Sequence, residues 1–329
     1  MIKKIAIIII FVFVSIILSV CVGSVFISPT EIISIFIYKI FNLRLIDNIG
    51  KMNTDIIFSI RVPHAVLSFF VGASLSMTGV VIQSILRNPL ASTYNLGISS
   101  GAGIGAALVI ITGMYFNQYL FIIVSMAFAF ISILFILFIS ERIDKYLNNN
   151  SIILAGIVIS LFLNSVMSFL AYIFPKYSNQ IILWQLGTLY VRNILDIFII
   201  ILLTLISLLV LIKYSSVLDI MTFGDDTSLS LGVDAKKMRI FFILISSFIT
   251  AVLVAFTGII GFIDLVSPHI ARKNIWSQTY YSFAYVGAFR RNTSQFFRYI
   301  FKNYSSRFKY TYRDSNSCNR SAIFPIYFY

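Results

Sequence analysis

Stretches of about twenty residues without a charged side chain constrain this chain more than any other feature. Ile5 to Phe26 and Tyr119 to Ile139 are two of them. Roughly 20 residues of helix cross a bilayer, and an ordinary soluble core cannot absorb many such stretches. The composition agrees: 59% of residues are hydrophobic and 11% charged, with mean hydropathy +0.94, against about 45–50% and about 25% in a soluble domain. The solvent for most of this chain is lipid.

Before the C-terminal tail there is room for about eight crossings. They are expected near 5–26, 64–82, 96–111, 119–139, 152–174, 195–212, 241–256 and, as a short Gly-rich re-entry, 258–272. Residues 28–59 then form an external segment, and Lys213 to Arg239 is the longest polar interval between spans. Lys3-Lys4 precedes an apolar stretch too long for a signal peptide, with no clear small-x-small cleavage site, so it reads as a retained first helix. Alternating sides places the N-terminus, the Arg142/Lys145 loop and the 213–239 interval on one face. All are basic at their edges, which makes that face cytoplasmic by the positive-inside rule. Cys21 and Cys318 form no metal-ligand spacing and no disulfide framework. No metal and no cofactor is expected.

Small residues recur from Gly72 to Gly105, and Gly101 with Gly105 makes a small-xxx-small pair that lets helix backbones approach closely in lipid. The stretch from Gln83 to Ala91 contains Arg87, Asn88 and Pro89, which hydrocarbon tolerates only when buried or facing water. It reads as a turn between two spans. No G-x-x-x-x-G-K-[ST] motif occurs, so any ATP chemistry belongs to another chain.

Several motifs stand in order. They are Arg61-Val62-Pro63-His64, Gly72 to Gly79, Gln83, Arg87-Asn88-Pro89-Leu90-Ala91, Leu96 to Ala102, Leu154-Ala155-Gly156 and Trp184 to Leu189. Gly224-Asp225-Asp226 follows with Leu231-Gly232-Val233, then Gly258 to Phe262 and Pro268-His269-Ile270-Ala271-Arg272. Together they resemble the FecCD-type permeases of ATP-driven importers for iron-siderophore, haem and cobalamin. The resemblance covers nearly everything up to Arg272. It implies an all-α polytopic membrane protein with the type II importer permease fold, ten helices per subunit, in the cell membrane. It also implies a second permease subunit, separate ABC ATPase subunits and an extracytoplasmic substrate-binding protein, with no enzymatic activity and no nucleic-acid partner. Iron-siderophore, the most frequent case, is the expected cargo.

Residue by residue, the resemblance makes Gly224, Asp225, Asp226, Leu231 and Gly232 the ATPase-coupling segment. It makes Arg61 and His64 the docking point for the binding protein, although the family usually has a second arginine where His64 stands. Gly72, Gly79, Gln83, Asn88, Pro89, Gly97, Gly101, Gly261, Pro268 and His269 become motif and packing positions. Two further departures stand out: Thr93 where the family often has proline, and Asp264 where it usually has glycine. A carboxylate facing lipid there costs about 2.5–3.5 kcal/mol, so Asp264 marks either a polar path or damage.

From Lys273 to Tyr329 the pattern ends. This tail carries nine Lys/Arg against one acid, Asp314, and has no helical period. Read with a constant one-base shift, the codons of Thr311 to Phe328 accommodate P-I-G-I-V-T-A-V-I-G-A-P-F-F-L-Y-I, an apolar helix-forming string. The same shift lets Ser282 to Arg290 yield L-L-P-x-S-A-L-L. The domain expectation is a permease domain over 1–272 and an aberrant, frame-shifted basic tail over 273–329, leaving the product truncated. A real basic, aromatic extension binding RNA or anionic lipid is the alternative. For the whole chain, an ion-coupled secondary transporter is the rival, but the spans offer few acids to bind a coupling ion. A membrane enzyme would need a catalytic cluster that two distant histidines do not make.

Overall fold

The computed structural model describes Val20 and residues 27–41, 51–114, 117–187 and 193–268; these residues are helices and turns, with no strand among them. The described residues fall into two compact units, divided between Phe69 and Phe70. Span one, apart from Val20, and the basic tail lie outside the described residues.

In the first unit, α1 (Pro29–Phe41) and α2 (Lys51–Ile56) precede a π-helical turn, Ile57–Arg61, that runs into α3 (Val62–Ile85). Ile27, Ile32, Ile35, Ile57, Ala65 and Val20 form its apolar core. Asn53 Nδ2 donates to Glu31 Oε1 at 2.6 Å. The expected external segment, 28–59, therefore contains two helices. The expected start of span two after Arg61 is also corrected: the apolar helical run is Asn53–Ile85, continuous through the π turn. Arg61 and His64 lie within that run, and Pro63, which has no N–H to donate, sits in its interior just after the π turn Ile57–Arg61.

The second unit is organised around α4 (Ile98–Ile111). Only 14 residues long, it spans about 21 Å, less than the hydrocarbon thickness of about 30 Å. Twelve of its residues are buried. Their small size is the reason: a Cβ on Gly101 would meet Ser132 Oγ at 2.5 Å and the Phe128 carbonyl at 2.8 Å, and one on Gly105 would meet the Ser125 Cα at 2.9 Å. Thus α5 (Gln118–Ile143) lies backbone to backbone on α4. Gly103, on another face, abuts Met167 of α6 (Asn149–Ile173) and Trp184 of α7 (Pro175–Gln185). Gly97 caps α4 in the left-handed region at φ 74°, a conformation glycine adopts without penalty.

Hydroxyls tie these close approaches. Ser132 Oγ donates to the Gly97 carbonyl at 3.0 Å, and Ser160 Oγ to the Asn95 carbonyl at 3.1 Å. Outside this seam, α5, α6 and α8 (Ile194–Lys213) turn Leu134, Phe135, Phe138, Leu161, Phe162, Phe198, Leu202 and Leu209 outward. An apolar outer face is what a hydrocarbon solvent favours. Among the described residues, five helices are long and apolar enough to cross a membrane, with α4 as a shorter apolar helix.

Two short helices, α9 (Ser215–Thr222) and α10 (Asp225–Ser230), occupy the polar interval, and α11 (Ala235–Thr257) follows. Span seven thus begins at Ala235 rather than near Phe241. The Asp234 side chain caps it by accepting from the Lys237 N–H at 3.1 Å, and this draws Lys236, Lys237 and Arg239 onto the helix. Residues 263–268 are helical again.

Candidate coupling site

Arg239 is the site's foundation. It lies one turn into α11 and is 1% exposed, a position a guanidinium holds only when paired. Its Nη2 donates to both carboxylate oxygens of Asp225, at 2.8 and 2.7 Å. Its Nη1 donates to the Leu147 carbonyl at 2.8 Å. One side chain therefore joins α11, the first residue of α10 and the turn after α5.

Asp225 also accepts from Arg87 Nη2 at 2.7 Å. Arg87 lies at the start of the turn after α3, with φ 48°. The turn is shaped by its own motif: Asn88 N donates to the Gln83 carbonyl at 3.2 Å, Asn88 Oδ1 accepts from Leu90 N at 2.9 Å, and Pro89 is exposed. Gly224 precedes Asp225 at φ 117°, and a Cβ there would approach Arg87 Nη1 at 3.4 Å. The dipeptide thus turns sharply enough to bring the carboxylate between the two arginines. Lys236 and Glu141 add an outer pair at 2.7 Å, and Lys236 holds the Glu141 carboxyl below its usual range. Beside the Arg87 turn, a cleft of about 570 Å³ is lined by Asn88, Asp144, Asn148, Asn149 and Ser151, among others.

On this base stand exposed apolar side chains: Phe223, Leu229 and Leu231 are 73, 70 and 60% exposed. Asp226 is exposed too, and Gly232 turns the chain at φ 82°. Asp219 in α9 is partly buried, and burial raises its carboxyl to about 7.

The other expected residues lie elsewhere. Arg61 is buried and donates to the Val20 carbonyl at 2.7 Å; the His64 carbonyl accepts from Ser68 Oγ. Gln83 is buried and donates through Nε2 to the Leu265 carbonyl at 3.2 Å. Gly72, Gly79 and Pro268 are buried, Gly261 faces Tyr94 at ordinary contact distance, and His269 lies outside the described residues. No group of three metal-ligating side chains occurs among the described residues. Asp264 does not face lipid: it is 3% exposed and holds three hydrogen bonds. Sequence reasoning named Asp225 but missed its partners. The available signal was Arg239 itself, the last cation before the long apolar stretch of α11.

Fold and site together define a multi-pass ABC transporter permease. The chain superimposes on a transporter assigned to the metal-chelate ABC class and solved in an inward-facing conformation, with TM-score 0.72 and 22% identity over 92% of this chain and 87% of that one. Residues 9–292 match the FecCD transport family, and the chain belongs to that family. The match passes the composition boundary at Arg272 and leaves residues 293–329 outside it. An uncharacterized ABC transporter permease protein of Bacillus subtilis, YvrB, is 32% identical over 265 residues, covering 80% of this chain and 75% of its own length. The Fe(3+)-citrate import system permease protein YfmE of the same organism is 30% identical, covering 78% and 74%. The hemin transport system permease protein HmuU of Yersinia pestis is 31% identical over 66% of each chain.

Two outcomes follow from the electrostatics. Asp225→Ala strands the Arg239 charge and lowers unfolding stability by about 3–5 kcal/mol. Arg87→Ala removes a partly exposed, solvent-screened ion pair and costs about 1 kcal/mol or less; chemical denaturation in detergent ranks the two, and equal losses contradict the assignment. For Asp219, the raised carboxyl means the native chain binds a proton more tightly than the unfolded one. Stability therefore falls as pH rises from about 4 to about 7. Asp219→Asn raises the thermal midpoint at pH 8 and leaves it unchanged at pH 4.

Proposed function

We propose that this chain is the permease subunit of a binding-protein-dependent ABC importer for an iron-siderophore or related metal chelate. Its 213–239 segment is the surface on which an ABC ATPase docks. The observation that carries this reading is the presentation of Phe223, Leu229 and Leu231 from a base anchored by a buried arginine. Asp225, Asp226, Lys236 and Lys237 around them are too polar for hydrocarbon, so these apolar side chains require a protein partner. The names of the relatives, which include iron-citrate and hemin permeases, favour a metal chelate as cargo.

In this reading the 213–239 face is cytoplasmic, as is the N-terminus. Two permease subunits enclose the path, here as a homodimer, and ATPase closure reaches the spans through Asp225 and Arg239. The binding protein meets the opposite face near the helical segment holding Arg61 and His64, a placement resting on motif resemblance. No cofactor is needed, since the energy enters through the ATPase.

We further propose that residues 273–329 are read one base out of frame and that the two closing helices lie in the neighbouring frame. The chain as translated then exposes faces meant to pack against them and does not transport. Sequencing the coding DNA from Ile270 onward should reveal an adjacent open frame spelling an apolar helix; stop codons in both other frames would leave the basic tail as genuine. The functional reading is tested on the frame-restored protein. ATP-dependent uptake of a ferric siderophore should appear with its ATPase and binding protein. A Leu229→Asp/Leu231→Asp variant should recover about tenfold less ATPase on affinity purification, roughly 1.4 kcal/mol. Uptake without an ATPase, or unchanged recovery, would sink it.

A further inference from the structure

We propose that Thr93 and Asp264 form one paired substitution, a hydrogen-bonded latch that fastens the turn after α3 to the 258–268 segment. The two positions lie 171 residues apart in sequence. Each departs from the residue that the family resemblance leads one to expect, proline at 93 and glycine at 264.

The geometry joins them. Asp264 Oδ2 accepts from Ser92 Oγ at 2.7 Å, from the Thr93 N–H at 2.8 Å and from Thr93 Oγ1 at 2.7 Å. Two of these three donors are groups that proline lacks: it has neither an N–H nor a hydroxyl. Ser92, Thr93 and Asp264 are 3, 1 and 3% exposed, so none of these groups can turn to water instead. Asp264 without Thr93 would be a buried carboxylate with a single donor. Thr93 without Asp264 would bury an N–H and a hydroxyl with their acceptor removed. Buried polar groups are tolerated when satisfied and costly when not. Each change alone is therefore unfavourable; together they give Oδ2 three donors and leave only Oδ1 buried without a hydrogen-bond partner among the described residues.

The latch is placed to position the coupling site. The backbone of Asp264 presses against Gly79, where a Cβ would collide with it, and Gln83 Nε2 donates to the neighbouring Leu265 carbonyl. The 258–264 segment thus lies flush on α3. On its other flank, a Cβ at Gly187 would come within 2.6 Å of the Ile259 carbonyl, so the segment also abuts the end of α7. From this fixed strip the carboxylate reaches across to residues 92 and 93. The turn it holds begins at Arg87, whose guanidinium holds Asp225. Asp264 is accordingly a positioning residue: it fixes the far end of the turn whose near end carries the docking segment. The latch itself does not depend on what the protein carries.

A double-mutant cycle on the full chain tests this by thermal unfolding in detergent. Thr93→Pro and Asp264→Gly should each lower the midpoint by about 5 °C or more. The double variant, which removes the carboxylate together with two of its three donors, should melt above both single variants. Losses that simply add overturn the pairing. Asp264→Asn keeps an acceptor for the same donors and should melt above Asp264→Gly; equal loss in the two also overturns it. If Thr93→Pro does not accumulate, a cycle of Thr93→Val with Asp264→Asn replaces it. There the double variant should lose less than the sum of the singles, and strict additivity again refutes the latch.

Discussion

Close approach of helix backbones is the constraint on which the second unit depends. Between helices in hydrocarbon, burying a leucine gains little, because lipid is as apolar as the side chain. What holds such helices together is dispersion at short range and hydrogen bonds between them. The α4 helix provides both: Gly101 and Gly105 admit α5, Gly103 admits α6 and α7, and hydroxyls of Ser132 and Ser160 bond to carbonyls at its start. Large side chains on α5, α6 and α8 are left to face outward. Small residues thus line the closest approaches, while large apolar side chains both fill the rest of the core, as Ile82, Ile133 and Phe242 do, and face outward.

The polar interval uses the opposite physics. Around Arg239 the attraction between opposite charges is strong because the guanidinium is removed from water, and the same removal makes a missing partner costly. Asp225 answers Arg239 and Arg87 at once, so a single carboxylate sets the relation of α10 to α11 and to the turn after α3. The docking role proposed for this surface calls for such a rigid footing. Leu229 and Leu231 on a mobile loop would bind a partner without moving anything behind it.

Much of this was legible in the sequence, for reasons particular to membranes. Spans near 119–139, 152–174 and 195–212 lie within helices of nearly those limits, since hydrocarbon leaves few alternatives to a helix. Ends were harder. Apolar patterning says nothing about where a helix stops in water, so the cap at Asp234 moved the start of α11 by six residues from the expected Phe241 to Ala235. Arg61 illustrates a second difficulty: a cation beside a span reads as an interfacial group, yet its guanidinium is buried on the Val20 carbonyl. Asp225 was identified through its motif, whereas its pairing with Arg239 spans 14 residues and that with Arg87 spans 138. Separations of that kind have no signature along the chain.

Asp264 shows why single departures from a pattern mislead. Alone, an acid among apolar residues reads as a transport path or as decay, and the arithmetic of a lipid-facing carboxylate favours decay. Burial against Ser92 and Thr93 changes the reference state: the relevant cost is no longer transfer into hydrocarbon but the difference between three good hydrogen bonds and hydration. A second departure supplies two of those bonds. Decay alters positions independently, and it has no reason to place a donor opposite a new acceptor 171 residues away. The departures at residues 93 and 264 therefore read as mutual accommodation rather than damage, in keeping with the latch proposed above.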